Sequence, residues 1–123
     1  MLIRYLWIFT AFALGFLMVG MPHWALAYAE VQLPMSLSKP GLAAVAVMAF
    51  MLVVSRVSSA RVAGSAMVIA PATAVMMRVL VDTNSDPTSH NLWPFEIVLT
   101  LFAATLFVLP GVLLATFLRR RLA

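Results

Sequence analysis

The side chains best suited to chemistry in this sequence collect in one short stretch, residues 86–96, which reads DPTSHNLWPFE. It contains the carboxylates of Asp86 and Glu96, the imidazole of His90 and the amide of Asn91. An imidazole beside carboxylates is the combination used for general acid–base catalysis and for binding divalent metals. The stretch is therefore either a functional site or a turn that is unusually rich in hydrogen-bonding groups.

The same stretch also follows the rules for a turn between two helices. Asp86 and Pro87, followed by Thr, Ser and Asn, are typical of a turn, because such side chains bond the nearby backbone. Pro94 suits the first turn of a helix, where a missing N–H is no loss, and Glu96 then lies where the helix dipole favours negative charge. This interpretation explains most of the stretch but leaves His90 without a role.

Three more polar residues, His23, Glu30 and Asp82, are expected at the same end of the molecule and could join the cluster. Two imidazoles and several carboxylates match the ligand types of a divalent metal, but the two histidines do not have the i, i+4 spacing of a helical metal motif. We therefore predict no metal and no cofactor, and no pairing of a nucleophile with a base is legible. The candidate binding residues are Arg78, Asp82, Asp86, His90, Asn91, Glu96, His23 and Glu30.

Arg78 is the most informative single residue, because it lies inside an apolar segment. An unpaired guanidinium in hydrocarbon costs on the order of several kcal/mol. Asp82 follows one helical turn later on the same face, so Arg78 can reach the membrane surface beside it. Alternatively, Arg78 pairs with Glu96 on the next helix and lines a polar pocket.

The composition indicates that lipid surrounds most of the chain. Apolar residues make up 64% of the 123 residues and charged residues 10%, whereas soluble domains have about 45–50% and about 25%. The absence of cysteine excludes disulfide frameworks, thiolate nucleophiles and thiolate metal sites. The net charge is +4, but the basic residues form no stripe along the sequence, so we expect no nucleic-acid partner.

Four apolar segments organise the chain. They cover about residues 5–21, 41–58, 62–81 and 95–118. A membrane-crossing helix needs about 20 apolar residues, which the second segment approaches only if it extends to residue 58. None of the segments alternates as a strand would. We predict an all-α, polytopic membrane protein: one domain over residues 1–123, forming a compact four-transmembrane-helix bundle with short loops.

The charges predict the orientation of this bundle. Placing the N-terminus in the cytoplasm puts six of the eight cations inside, namely Arg4, Arg56, Arg61, Arg119, Arg120 and Arg121. This agrees with the positive-inside rule. The expected location is the plasma (inner) membrane, with both termini cytoplasmic and loops 22–40 and 82–94 outside.

The start of the chain has a second interpretation as a cleaved secretory signal, ending after Ala27 or Ala29 in "ALAYAE". The apolar run of residues 5–21 is longer than the about 7–15 residues of such signals, so we expect a retained helix. Removal of residues 1–27 or 1–29 would leave three helices.

Small residues predict where the helices pack most closely. Ala66, Ala70 and Ala74 are spaced four apart in the third segment, as are Ala11 and Gly15 in the first. This spacing lets helix backbones approach one another within a membrane.

Three classes of function are compatible with these features. The first is an accessory, assembly or structural subunit of a membrane complex, with the lipid bilayer, other membrane subunits or a second copy as partners. The second is a small transporter or lipid-handling protein with a polar pocket at the outer face. The third is an outer-face enzyme or metal-binding protein that uses His23, His90 and nearby acids. The plain interior favours the first class and a non-enzymatic role.

Overall fold

The chain forms four α-helices in a computed structural model. They are α1 (Leu2–Ala25), α2 (Lys39–Val54), α3 (Ala60–Ser85) and α4 (Trp93–Leu122). The structure describes residues 2–26, 35–86, 90 and 92–122, and these residues contain no strand. Helices α1, α3 and α4 are each long and apolar enough to cross a membrane, whereas α2 has 16 residues. The predicted helical membrane bundle is confirmed.

Serine side chains start two of the helices. The Ser38 hydroxyl accepts a hydrogen bond from Gly41 N at 3.1 Å at the beginning of α2. Ser59 does the same for Val62 N at 3.2 Å at the beginning of α3. Each bond satisfies a backbone donor that has no partner inside the first turn.

Helix α2 ends at Val54, earlier than the expected boundary near residue 58. Arg56 has a φ of 63°, in the left-handed region, and an α-helix cannot continue through that conformation. Ser58 then lies in the turn, where its N–H donates to Leu52 O at 3.1 Å. The left-handed residue is therefore the physical reason for the shorter helix.

Helices α2 and α3 lie at the centre of the bundle, and each of them packs on both α1 and α4. In the described part of the chain, the backbones of α1 and α4 do not come close to one another. A β-carbon placed at Gly15 would lie 3.4 Å from Ala70 Cβ and 3.2 Å from Val45 Cγ2. The small residues predicted on the first and third segments therefore meet, and α1 packs closely on α3 there.

A glycine also marks a close approach between α1 and α2. Pro22 has no N–H, so the Met18 carbonyl lacks its usual donor within α1. Gly41 lies against this carbonyl, and a β-carbon there would lie 2.6 Å from Met18 O. Only a residue without a side chain fits at that distance.

The two ends of the bundle differ in charge. Helices α1 and α3 end where α2 and α4 begin, and we call this the polar end. It carries His23, Arg78, Asp82, His90 and Glu96. The opposite end, which we call the basic end, carries Arg4, Arg56, Arg61, Arg119, Arg120 and Arg121.

Candidate functional site

Arg78 is buried at the polar end and links two helices. Its Nε donates to Asp82 Oδ2 at 3.2 Å, as the one-turn spacing predicted. Its Nη1 donates to the backbone carbonyl oxygen of His23 at 2.5 Å. The guanidinium is covered by protein and fastens α3 to α1, so it does not reach out independently to the membrane surface.

His90 is buried in the turn between α3 and α4, with its ring between two carboxylates. Its Nε2 lies 2.6 Å from Asp82 Oδ2, and its Nδ1 lies 2.7 Å from Glu96 Oε2. A neutral imidazole can donate from only one nitrogen, whereas the imidazolium donates from both. With both carboxylates ionised, the geometry therefore accommodates the doubly protonated ring.

The backbone of His90 is adapted to this position. Its φ of 53° lies in the left-handed region, which histidine enters more readily than most residues. Its carbonyl oxygen accepts a hydrogen bond from Trp93 N at 2.9 Å at the start of α4. The turn thus directs the ring toward α3 and begins the next helix at once.

The alternative in which Arg78 pairs directly with Glu96 is wrong. In the described residues, Arg78 pairs with Asp82, and Glu96 pairs with His90. Asp82 is one turn from Arg78 on the same helix and reaches it first, while the imidazole of His90 occupies the space between the two carboxylates. We call this connected set, Arg78, Asp82, His90 and Glu96, the polar clasp.

Of the other predicted site residues, the structure describes His23 and Asp86. His23 contributes its backbone carbonyl, while its ring is buried and Nδ1 has no hydrogen-bond partner within the described structure. Asp86 is exposed and ends α3, with its N–H donating to Asp82 O at 2.8 Å. Glu30 and Asn91 lie outside the described residues.

Trp24 has a role that the sequence did not indicate. Its Nε1 donates to Ala74 O at 2.9 Å, which joins α1 to α3 a second time near the polar clasp. Its ring also packs edge-on against Phe16, with centroids 5.1 Å apart. A tryptophan near a membrane boundary predicts only an interfacial anchor, so no sequence signal pointed to this bond.

Five threonine hydroxyl groups within the helices bond the backbone of their own helix. Each donates to the carbonyl four residues earlier, at Thr10, Thr73, Thr100, Thr105 and Thr116. A hydroxyl bonded in this way offers little to a passing solute. These groups therefore do not form a polar path between the two ends.

Two cavities lie beside the helices at and below this site. One of about 290 Å³ adjoins the polar clasp and is lined by Trp24, Met77, Arg78, Val81 and Asp82. An apolar groove of about 440 Å³ separates α1 from α2 nearer the basic end, and its lining includes Trp7, Leu14 and Met51. The first cavity is the only one of the two with charged groups.

The chemical capacity of the polar end is set by these contacts. Among the described residues, no three His, Cys, Asp or Glu side chains are grouped to hold a metal ion. Arg78 and Asp82 border the cavity of about 290 Å³, while His90 and Glu96 are engaged with one another. The chain matches no protein-family model, no curated protein and no solved structure with which it was compared.

Proposed function

We propose that this protein is an accessory, assembly or structural subunit of a membrane complex. The observation that carries the proposal is the closure of the polar clasp. Arg78, Asp82, His90 and Glu96 bond one another, so their charges join helices and are not held ready for a substrate. A catalytic pair would instead need a base free to reach a reacting group.

The interior supports the same proposal. A transporter for polar solutes needs hydrogen-bonding or charged groups along its path. The threonine hydroxyls here bond their own helix backbones, and the buried core between α2, α3 and α4 is built from residues such as Val45, Met67 and Val108. The surfaces left for other molecules are the lipid-facing sides of the helices and the two ends.

The orientation is part of the proposal. Six arginines at the basic end support its placement in the cytoplasm, because positively charged loops are retained on that side. Both termini are then cytoplasmic, the loops containing residues 22–40 and 82–94 are outside, and the chain crosses the plasma (inner) membrane as a multi-pass protein. Its partners are the bilayer, other membrane subunits or a second copy of itself.

A second candidate is the binding of a small polar ligand at the outer face. The specific observation in its favour is the cavity of about 290 Å³ that Arg78 and Asp82 line. Trp24, Met77 and Val81 supply apolar walls, which is the usual make-up of a ligand pocket.

A photo-crosslinking experiment tests the subunit role. A benzoylphenylalanine replaces Leu14 in the groove or Phe102 on the exposed side of α4, in the full chain produced at its natural level. We expect ultraviolet light to join one of these positions to a single membrane protein, at a fixed ratio that also appears in detergent-purified material.

Recovery of the chain alone, with neither position joined to any protein, would contradict the subunit role. A small molecule that is bound by the natural chain and lost from Arg78→Gln would favour the second candidate. The Phe102 and Leu14 variants are controls for one another, since they present the same reactive group on different faces.

A further inference from the structure

A cavity at the basic end brings three arginines together. It measures about 280 Å³ and lies between the α2–α3 turn and the last turns of α4. Its lining consists of Arg56, Ala60, Thr116, Arg119 and Arg120. The arginines come from two elements that are distant in sequence, so the tertiary fold creates the cluster.

These arginines have no anionic partner within the described structure. The ion pairs among Arg78, Asp82, His90 and Glu96 all lie at the opposite end. Arg121, the neighbour of Arg120, is placed differently, since its guanidinium lies 5.3 Å from the ring centroid of Phe117. The cavity is therefore a concentration of positive charge that nothing in the described chain neutralises.

Arg56 occupies a position that would ordinarily favour glycine. It is left-handed with a φ of 63°, directly after the end of α2, and its N–H donates to Val53 O at 3.1 Å. Helices commonly end with glycine in this conformation, because a β-carbon makes it unfavourable. Arg56 lacks the conformational freedom that glycine would have there, but its guanidinium lies at the cavity.

The surface of α4 leads from the lipid to this cavity. Leu109 and Leu113 are exposed and lie on the same helical face as Thr116 and Arg120, by their spacing of three or four residues. An acyl chain can lie along the two leucines while a charged group attached to it reaches the arginines. A freely dissolved anion would make no use of this apolar stripe.

We propose that the cavity binds the phosphate group of an anionic phospholipid. Guanidinium groups donate paired hydrogen bonds to phosphate oxygens, and the fork of arginine matches their geometry. Basic pockets between membrane helices are suited to anionic lipid headgroups. The proposal depends on membrane residence and not on the subunit role, so either can fail without the other.

Lipid titration followed by native mass spectrometry tests the proposal. The full chain, delipidated in a neutral detergent, is titrated with phosphatidylglycerol or phosphatidylcholine of identical acyl chains. We expect one phosphatidylglycerol to bind with at least about tenfold preference, because phosphatidylcholine carries a choline cation beside the same phosphate, and the arginines of the cavity repel that cation. Equal binding of the two lipids would overturn the proposal.

Two variants of equal net charge separate the cavity from general attraction. Arg119→Gln should lower phosphatidylglycerol affinity by about tenfold or more, because it removes hydrogen bonds to the phosphate. Arg121→Gln should lower it by at most about fivefold, because it removes only attraction at a distance. Equal losses would show that net charge governs binding and would overturn the proposal.

The variant Arg56→Gly tests whether a loss of phosphatidylglycerol affinity is caused by misfolding. Glycine relieves the left-handed backbone, so the unfolding temperature without lipid should stay the same or rise. Phosphatidylglycerol affinity should nevertheless fall by about tenfold. Retention of the lipid preference by this variant would contradict the assignment of Arg56.

Inorganic phosphate distinguishes a lipid headgroup from a free anion. Sodium phosphate and sodium chloride are compared at equal ionic strength with phosphatidylglycerol already bound. We expect the lipid to remain bound equally in both salts. Its selective displacement by inorganic phosphate would overturn the lipid assignment in favour of a soluble phosphate ion.

Discussion

Asp82 Oδ2 and His90 Nε2 lie 2.6 Å apart, and this contact fastens the end of α3 to the turn that begins α4. The other ring nitrogen of His90 lies 2.7 Å from Glu96 Oε2. One imidazole therefore holds two carboxylates that would otherwise repel each other. Because Asp82 also accepts from Arg78, the contact extends to α1 through the His23 carbonyl.

Replacing His90 should loosen this end of the bundle. His90→Asn retains a residue that tolerates the left-handed backbone but cannot bridge both carboxylates. Hydrogen bonds to charged groups contribute about 1.5–3 kcal/mol, so we expect the free energy of unfolding to fall by about 2–3 kcal/mol. Denaturant unfolding in detergent micelles measures it. The exposed neighbour Asn84, changed to Ala, should alter stability by less than about 0.5 kcal/mol.

The polar clasp should behave as one unit in double-mutant cycles. Arg78→Ala removes the partner of Asp82 and the link to α1. Because the Asp82 side chain is 27% exposed, we expect a loss of about 2–3 kcal/mol, below the about 3–5 kcal/mol of a fully buried pair. Glu96→Ala should also destabilise, and the Arg78/Glu96 double variant should lose less than the sum of the two. The Arg78/Asp82 pair, which is in direct contact, should show the larger coupling. Strict additivity of the Arg78 and Glu96 effects would mean that His90 transmits nothing between them.

Two glycines provide a matched test of helix packing. A β-carbon at Gly41 would lie 2.6 Å from the Met18 carbonyl oxygen, so Gly41→Ala should force α1 and α2 apart and cost about 1–3 kcal/mol. At Gly64 the nearest contact would be Val112 Cγ2 at 3.7 Å, and Gly64→Ala should be neutral or stabilise by up to about 1 kcal/mol. Thermal unfolding of both variants, followed by circular dichroism, gives the comparison. If both variants had the same stability, the close approach of α1 and α2 at Gly41 would be contradicted.

Single cysteines test the orientation, since the natural chain has none. In intact cells, a membrane-impermeant thiol reagent should label cysteine at Ser36 or Ser85 and leave cysteine at Ser59 or Ala123 unlabelled. The expectation follows from the retention of arginine-rich ends in the cytoplasm. After membrane disruption all four positions should react, which controls for buried sites. Labelling of a cysteine at position 59 in intact cells would contradict the proposed orientation and indicate the opposite one.

Several features of the fold follow from the sequence alone, because they depend on interactions within one segment. Long apolar runs form helices in lipid because each backbone group then finds a partner in the same helix. The pair of Arg78 and Asp82 follows from a separation of one helical turn. The contact of Gly15 with Ala70 was likewise indicated by small residues at helical spacing.

The remaining contacts were decided by the tertiary structure. The left-handed conformations of Arg56 and His90 ended α2 early and turned an imidazole toward α3, although neither residue type requires a positive φ. In the packed bundle, Arg78 donates a hydrogen bond to the His23 carbonyl of α1, and Glu96 contacts the ring of His90. Spacing along a chain sets which groups share a helical face. The groups that meet across a turn or between helices depend on backbone dihedrals and packing distances that exist only in the folded bundle.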